Sequence, residues 1–327
     1  MLTSKFIESL RAEVAFKQIV TQDPAMLEIL NRLKNVAPKN VNILLNGETG
    51  TGKELCAQAI HFLSPQRNHP FIALNCGIGP VELFDSILFG HTRGAFTNAI
   101  AERRGLIEEA NHGILFLDEI NSLPQTLQVK LNRFIETGNF RRLGENRLRN
   151  VNVRIIAASN TPLTQATENN SFRKDLYYRL AEYIIDIPPL RQRNKDIRLL
   201  LTYYLQKLKE RYTKPNLFFT EDALKLCEQY DWPGNVRELE NVIERAVIMT
   251  RGDSVGPEDF PTAIYHPDKD KSNRDPLLSS GRSLKEVERE MIIKTLADMN
   301  GNRTRTAEVL GISRRTLQLK LKEYGVK

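Results

Sequence analysis

The sequence predicts an α/β core, a parallel sheet with helices on both faces, followed by a small all-helical subdomain and a C-terminal helix-turn-helix. Three observations predict it. Short apolar runs alternate with amphipathic stretches from Asp23 to Asn160, the pattern of strand, crossover helix and parallel strand. After Pro188-Pro189 the strand-like runs stop while helical spacing continues. Near the end of the chain, Gly311-Ile312 separates two short helical patterns, the spacing of two helices set at an angle.

Taken in order, Asp23-Pro24 marks the first clear helix start, with Asp as N-cap and Pro at the first helical position. Strands are expected at 41–45, 71–74, 114–117, 153–157 and 183–187. The first four end in polar clusters: a glycine loop, Asn75, Asp118-Glu119 and Ser159-Asn160. Ligands of open parallel sheets bind at the carboxyl ends of strands, so these clusters should converge on one crevice. Helices are expected at 195–211, 221–229 and 235–250. Residues 256–282 carry Pro257, Pro261, Pro267 and Pro276 with two Ser-rich patches, as a flexible connector would. The expected domains are a 1–188 α/β core, a 189–255 helical lid, a 256–282 linker and a 283–327 helix-turn-helix.

With 41% hydrophobic and 27% charged residues among 327, the chain can bury a sizeable core. No apolar run approaches the roughly 20 residues needed to cross a bilayer. The start, MLTSKFIESLRAEVAF, has charges where a signal peptide would be apolar, so no membrane partner and a cytoplasmic location are expected. Cys56, Cys76 and Cys227 are widely spaced without a metal-ligand pattern, which points to buried, reduced thiols. The net charge is +7, but 301–327 alone holds seven Lys or Arg against two Glu. A basic tail is either a solvated face or a nucleic-acid footprint.

The loop Gly47, Glu48, Thr49, Gly50, Thr51, Gly52, Lys53, Glu54 matches a phosphate-binding pattern. Its glycines let backbone N–H groups approach phosphates, and Lys53 sets a positive charge on the outer ones. This is the mark of a nucleoside triphosphatase core, with ATP as the expected ligand. Glu54 stands where a Ser or Thr hydroxyl usually reaches magnesium, so Mg2+ must lean on Asp118 and water. The alternative, a Gly-rich turn that only links strand and helix, is opposed by the second acidic motif. Asp118 at the end of an apolar strand suits a magnesium ligand, and Glu119 is placed to polarise an attacking water. Asn75 is expected beside Glu119, holding it by a side-chain amide hydrogen bond.

Between these motifs lies GHTRGAFTNA, 90–99, which has no nucleotide chemistry of its own. Glycine-flanked polar turns would put Phe96 at a loop tip, which folding alone does not reward. Either Phe96 meets a partner or it folds back as a local core plug. In the tail, 283–299 carries Leu284, Val287, Met291, Ile292, Thr295 and Leu296 at helical spacing, and Asn300-Gly301-Asn302 breaks it. Leu317 and Leu321 can face a core while Arg314, Arg315 and Gln318 point outward near the start of the second helix, where base edges are reached.

These residues together resemble the sigma-54-dependent transcription activators, the bacterial enhancer-binding proteins, whose central module is an AAA+ ATPase. The resemblance covers nearly the whole chain: GETGTGKE with its Glu54, LFLDEI, GHTRGAFTNA, FRKDLYYRL (172–180), PPLRQR (188–193), WPGNVRELEN (232–241) and the Fis-type GISRRTLQLKLKEYGV. It implies that Arg173 and Arg179 reach the neighbouring subunit's ATP; six residues apart, they would not share one helix face. Arg237 and Asn160 match the two nucleotide sensors, and Ile19-Val20 the apolar segment beside adenine. The family uses Gly94, Ala95, Phe96, Thr97, Asn98 and Ala99 to grip sigma-54 on RNA polymerase. Asn98 departs from the usual GAFTGA, and Asn tolerates left-handed angles better than other non-Gly residues. Ser313, Arg314, Arg315, Thr316, Gln318 and Lys320 match the DNA-contact positions.

The implied function is an ATP-driven activator of sigma-54 RNA polymerase holoenzyme. DNA-bound dimers on double-stranded enhancer DNA assemble into a hexameric ring, hydrolyse ATP between subunits and open the promoter. The sequence starts only shortly before its core, so no attached receiver or ligand-sensing domain is expected in it: either a separate protein regulates the chain or the sequence is a piece of a longer one. Two other readings stand beside this one. In the first, a DNA-binding regulator keeps the ATPase but no longer engages sigma-54, supported by Asn98 alone. In the second, the chain is a general AAA+ protein remodeller, which the helix-turn-helix opposes.

Overall fold

A computed structural model of the chain describes residues 16, 18–77, 79–96, 99–261, 264, 292, 293, 295, 296, 299 and 302–324. The chain divides into two compact units, Met1–Pro261 and Thr262–Lys327. The first unit opens with α1 (Pro24–Val36), β1 (Ile43–Asn46), α2 (Lys53–Leu63), β2 (Phe71–Asn75), α3 (Val81–Phe89) and the short strands β3 (Gly90–His91) and β4 (Arg103–Arg104). It continues through α4 (Leu106–Glu109), β5 (Ile114–Asp118), α5 (Gln125–Thr137) and the short pair β6 (Asn139–Phe140) and β7 (Arg149–Asn150). Next come β8 (Arg154–Ser159), α6 (Leu163–Glu168), α7 (Lys174–Leu180) and β9 (Tyr183–Asp186). The lid comprises α8 (Asn194–Arg211), β10 (Phe218–Phe219), α9 (Glu221–Gln229), α10 (Asn235–Met249) and β11 (Ser254–Val255).

The five expected strands form one sheet in the order β2-β5-β8-β1-β9, with every neighbouring pair parallel. Alternate residues serve opposite faces, as a pleated strand requires. Leu44, Leu115, Leu117, Ile155 and Ala157 pack with Leu131, Phe134, Leu176 and Leu180 of α5 and α7. Ile43, Leu45, Phe116, Ile156, Ala158 and Ile185 pack with Leu30, Leu33, Ala57 and Ile60 of α1 and α2. Burial on both faces explains why the strands read as unbroken apolar runs rather than alternating ones. Register brings the polar ends together: Asn75 lies opposite Asp118, and Asn46 lies opposite both Ser159 and Asp186. Four strands run past the apolar stretches: β1 extends to Asn46, β2 to Asn75, β5 to Asp118 and β8 to Ser159. Backbone pairing does not need an apolar side chain.

Asp23 caps α1, its carboxylate accepting from the N–H groups of Ala25 and Met26 at 2.9 and 3.3 Å. The other end of α1 is closed from the sheet. Buried Arg154 donates to the carbonyls of Val41, Ala37 and Val36 at 3.0, 2.6 and 3.3 Å, a cation among helix-end carbonyls. Burial pushes its pKa down to about 10, which leaves it charged at neutral pH.

Contrary to the expectation that strands cease after Pro189, the lid holds a two-residue parallel pair, Phe218-Phe219 against Ser254-Val255. Two residues are too few to show a period of two in sequence. The lid's packing also runs beyond Val255. Gly256 donates to Asp259 Oδ2 at 2.9 Å, and buried Phe260 lies 6.2 Å from the Phe219 ring between centroids. Residues 262–263 and 265–282 of the expected linker lie outside the described residues.

In the second unit, α11 (Arg303–Val309) and α12 (Arg314–Glu323) flank Gly311, whose φ of +64° is the left-handed turn expected there. Leu317 and Leu321 are buried with Ala307 and Ile292, as their spacing predicts. Ile292, Ile293, Thr295 and Leu296 are helical, whereas Leu284, Val287 and Met291 lie outside the described residues. Among the described residues, no helix is long and apolar enough to cross a membrane. The three cysteines are buried free thiols, and burial pushes Cys56 and Cys227 up to about 12.

Candidate active site

The loop between β1 and α2 turns through two left-handed glycines, Gly50 at φ +80° and Gly52 at φ +98°. Gly52 is the N-cap of α2, so the positive end of that helix faces the loop. Lys53 is buried, its ammonium donating to the carbonyls of Gly47 and Glu48 at 2.7 and 3.0 Å. Burial lowers its pKa, and the carboxylates of Asp118 and Glu119 oppose that shift. The Thr51 hydroxyl donates to the Glu48 carbonyl at 2.8 Å. Glu54 lies in the first turn of α2, its Oε1 accepting from Gln58 at 3.3 Å.

Asp118 ends β5, and Oδ1 accepts the N–H of Glu119 at 3.0 Å. Glu119 has a left-handed backbone, φ 52° and ψ 43°, a conformation that costs energy in a non-glycine residue and concentrates at functional sites. Asn75 does lie at this edge, but the expected hydrogen bond from its amide to Glu119 is not made. Its Oδ1 instead accepts the Gly77 N–H at 2.8 Å in a local turn. A Cβ at Gly77 would stand 2.8 Å from Glu119 Oε2 and 3.2 Å from Asn75 Oδ1, so both side chains crowd one glycine.

The lid closes over this edge. A cleft of about 310 Å³ is lined from the core by Thr49, Gly50, Gly52, Lys53, Glu54, Asp118 and Glu119, and from the lid by Tyr204, Val236, Arg237 and Glu240. Beside it, Ile19, Val20, Met26, Leu55, Arg193, Leu200 and Tyr204 line a second, smaller cavity. Burial, with Glu240 nearby, pushes the Tyr204 phenol up and keeps it protonated. Gly50 is where the lid touches the loop: its carbonyl accepts from Val236 and Arg237 N–H at 3.0 and 3.4 Å.

Asn235, fully buried with φ 55°, ties three segments together. It donates to Thr49 O at 3.0 Å and Glu48 Oε2 at 3.2 Å, and accepts from Leu190 N–H at 2.7 Å. Arg191 adds a fork on Glu48 at 2.8 and 2.6 Å, and this pairing holds the Glu48 carboxyl below its usual range.

Not every expected residue reaches the cleft. Asn160 follows β8, its Oδ1 buried without a partner among the described residues, and it does not line the cleft. Arg173 and Arg179 do not either. Arg173 is 46% exposed and forked onto Asp175, and Arg179 is 39% exposed and paired with Glu136 at 2.7 Å. Arg173 precedes α7 in extended backbone, φ −72° and ψ 132°, so helix spacing does not govern it. Buried Gln128 fixes it instead, accepting the Arg173 N–H at 2.8 Å and donating to the carbonyls of Leu123 and Ser171. Tyr204 and Gln128 carried no sequence signal for these positions, and Arg193 and Glu240 lie within PPLRQR and WPGNVRELEN with nothing in those motifs to assign them there.

Phe96 is 41% exposed and meets the edge of the His91 ring at 5.0 Å between centroids. It is therefore a half-open aromatic, not a core plug. Around it Gly94 takes φ +79° and donates to Ala99 O at 2.8 Å. Thr97 and Asn98 lie outside the described residues. In the second unit, Arg314, Arg315 and Gln318 are exposed on α12. Ser313 Oγ accepts the Thr316 N–H at 3.1 Å, so Ser313 also caps that helix.

Fold and site together define an AAA+ core with a helical lid, joined in one chain to a helix-turn-helix. Residues 19–186 match the Sigma-54 interaction domain, 191–276 the AAA+ ATPase lid domain, and 283–324 the Fis family of bacterial regulatory proteins. The chain is similar to Regulatory protein AtoC of Escherichia coli (strain K12), 44% identical over 312 residues covering 94% of this chain and 68% of that protein. It is similar to Transcriptional regulatory protein ZraR of Klebsiella oxytoca, 43% identical over 304 residues covering 93% and 68%. Among solved structures, NtrX from Brucella abortus in complex with ATP superposes with a TM-score of 0.71 at 31% identity, covering 97% of this chain and 70% of that one. NtrX in complex with ADP gives 0.71 at 32%, covering 97% and 72%. The chain belongs to the sigma-54-dependent transcription activators that carry a Fis-type DNA-binding domain.

Proposed function

We propose that this chain binds and hydrolyses ATP in the cleft between core and lid and uses the cycle to drive sigma-54 RNA polymerase to open promoters. The observation that carries this reading is that one cleft is lined by the phosphate loop, the Asp118-Glu119 edge and the lid residues Arg237 and Glu240. A ligand there touches core and lid together, so its hydrolysis changes what holds them. Lys53 and the α2 N-terminus take the phosphates, and Glu119 orients the attacking water. Asp118 is a hard carboxylate next to Lys53, a donor that suits Mg2+ completed by water, and the ion when bound neutralises phosphate charge. Arg237 and Asn160 act as sensors of nucleotide state.

Arg173 and Arg179 are exposed and outside their own subunit's cleft, which favours service to a neighbour's ATP in a closed hexameric ring assembled from dimers. The half-open Phe96, with Thr97, contacts sigma-54, and α12 with Arg314, Arg315, Thr316, Gln318 and Lys320 docks on enhancer DNA. This work belongs in the cytoplasm, with polymerase and DNA. The test is ATP-dependent open-complex formation by purified polymerase on a sigma-54 promoter, comparing the chain with its Asn98→Gly variant. Opening by both is the expected result. Opening by the variant alone would shift the reading to a DNA-binding ATPase with a weakened polymerase grip.

A further inference from the structure

Arg193 sits immediately before α8 and is 3% exposed. A guanidinium has five N–H donors and no acceptor, and a buried one is costly unless those donors are met. Its nearest acid is Asp196, with Nη1 3.9 Å from Oδ2, beyond hydrogen-bond reach. That carboxylate is already engaged with the segment beside the cavity. Oδ2 accepts from the Thr21 hydroxyl at 2.7 Å, and Oδ1 from the N–H groups of Gln22 and Asp23 at 2.7 and 3.0 Å. Arg193 Nε and Nη2 have no partner among the described residues. Two buried nitrogens without a partner among the described residues leave room for an acceptor supplied by a ligand.

The cavity that Arg193 lines says what kind of acceptor. Ile19, Val20, Met26 and Leu200 line it too, and it adjoins the phosphate loop at Thr51 and Gly52. Apolar walls with a few placed polar groups, Arg193 beside Gln18, Thr51 and Tyr204, are the lining that orients a heterocycle. We infer that Arg193 donates a hydrogen bond to a ring-nitrogen acceptor of the nucleobase, N1, N3 or N7 of a purine, and so sets base specificity at this site. The inference rests on the proposed binding of ATP. Asp196 keeps the guanidinium charged nearby and ties the 21–23 segment to the lid, so the base slot closes with the lid.

Calorimetric titration of the whole chain with ATP, with 1-deaza, 3-deaza and 7-deaza ATP, and with 2′- and 3′-deoxy ATP tests this, repeated on Arg193→Met and Arg193→Lys. The unaltered protein should bind one deaza analogue about tenfold or more weaker than ATP, the scale of losing an acceptor for a buried charged donor. Arg193→Met should bind ATP weaker and lose that discrimination, and Arg193→Lys, the alternative should the Met variant not fold, should recover part of it. Analogues all within about twofold of ATP, or a preference unchanged in Arg193→Met, would overturn the inference while leaving ATP binding intact. A preference confined to 2′- or 3′-deoxy ATP would move the acceptor to the ribose and overturn it as well. Failure of the unaltered chain to bind ATP at all would overturn both this inference and the functional reading.

Discussion

Replacing Asn235 should loosen the lid from the phosphate loop by a calculable amount. In Asn235→Ala the buried Leu190 N–H and the Thr49 carbonyl both lose their side-chain partner. Leaving such groups unmet costs about 1–3 kcal/mol each. The backbone at 235 is left-handed, φ 55°, which Ala adopts at a cost of roughly 1–2 kcal/mol. Together these give about 3–8 kcal/mol. Asn235→Gly suffers the same lost bonds but not the backbone penalty, so it should be the more stable variant by about 1 kcal/mol. Helix propensity alone predicts the opposite sign, since Gly in a helix is about 1 kcal/mol worse than Ala. Urea unfolding of the two variants decides the sign, and titration with ATP reads the coupling to the cleft, where each 1.4 kcal/mol is about tenfold in Kd. Ala at least as stable as Gly, or both within about 0.5 kcal/mol of the parent, would refute the latch.

Three further outcomes are expected. Glu119→Gln should retain ATP binding while hydrolysis falls by about 10²–10⁴; equal losses in both would place Glu119 in binding instead. Glu48 titrates below its usual value of 4.5 because of Arg191, so the pair stabilises the fold at neutral pH and that contribution fades as pH drops through the lowered value. The gap in unfolding free energy between the parent and Glu48→Gln should therefore be small, under about 1 kcal/mol for this exposed pair, and should shrink below pH 4.5; a gap constant with pH would refute it. Arg314→Ala should lose preference for the cognate site, whereas Lys320→Ala should weaken all DNA and lower the salt slope by about 1; equal losses on every sequence would undo that division.

What sequence made legible was whatever rests on local pattern. The five strands are apolar because both faces are buried, and their polar ends were visible as the residues that stop each run. The glycine loop, Asp118 and Glu119 follow from spacing alone. Asn235 was not legible, because its role depends on a positive φ and on partners up to 187 positions away. Arg191 meets Glu48 across 143 positions for the same reason. Arg193 lies inside a motif that was quoted without a role, and only burial reveals its unmet donors. The Asn75 expectation failed on orientation, not on spacing: a local turn aims the amide oxygen at the Gly77 N–H, two residues on, and the NH2 makes no hydrogen bond to Glu119 among the described residues.

The two ties between lid and loop differ in kind, and the difference bears on how a nucleotide could move the lid. The Arg191–Glu48 fork is exposed, 41% and 38%, so solvent screens it to under about 1 kcal/mol. Asn235 is fully buried and neutral, so salt and pH leave its contribution intact. The stronger tie lands on Thr49, and the adjacent Gly50 carbonyl accepts Val236 and Arg237 N–H. A Cβ at Gly50 would stand only 2.2 Å from Gly234 O, so loop and lid touch backbone to backbone with no side chain between them to absorb a shift. A phosphate that repositions the Gly50 peptide must therefore carry Val236 and Arg237 with it, which puts a rigid link between the proposed ATP site and the helix that bears the proposed sensor.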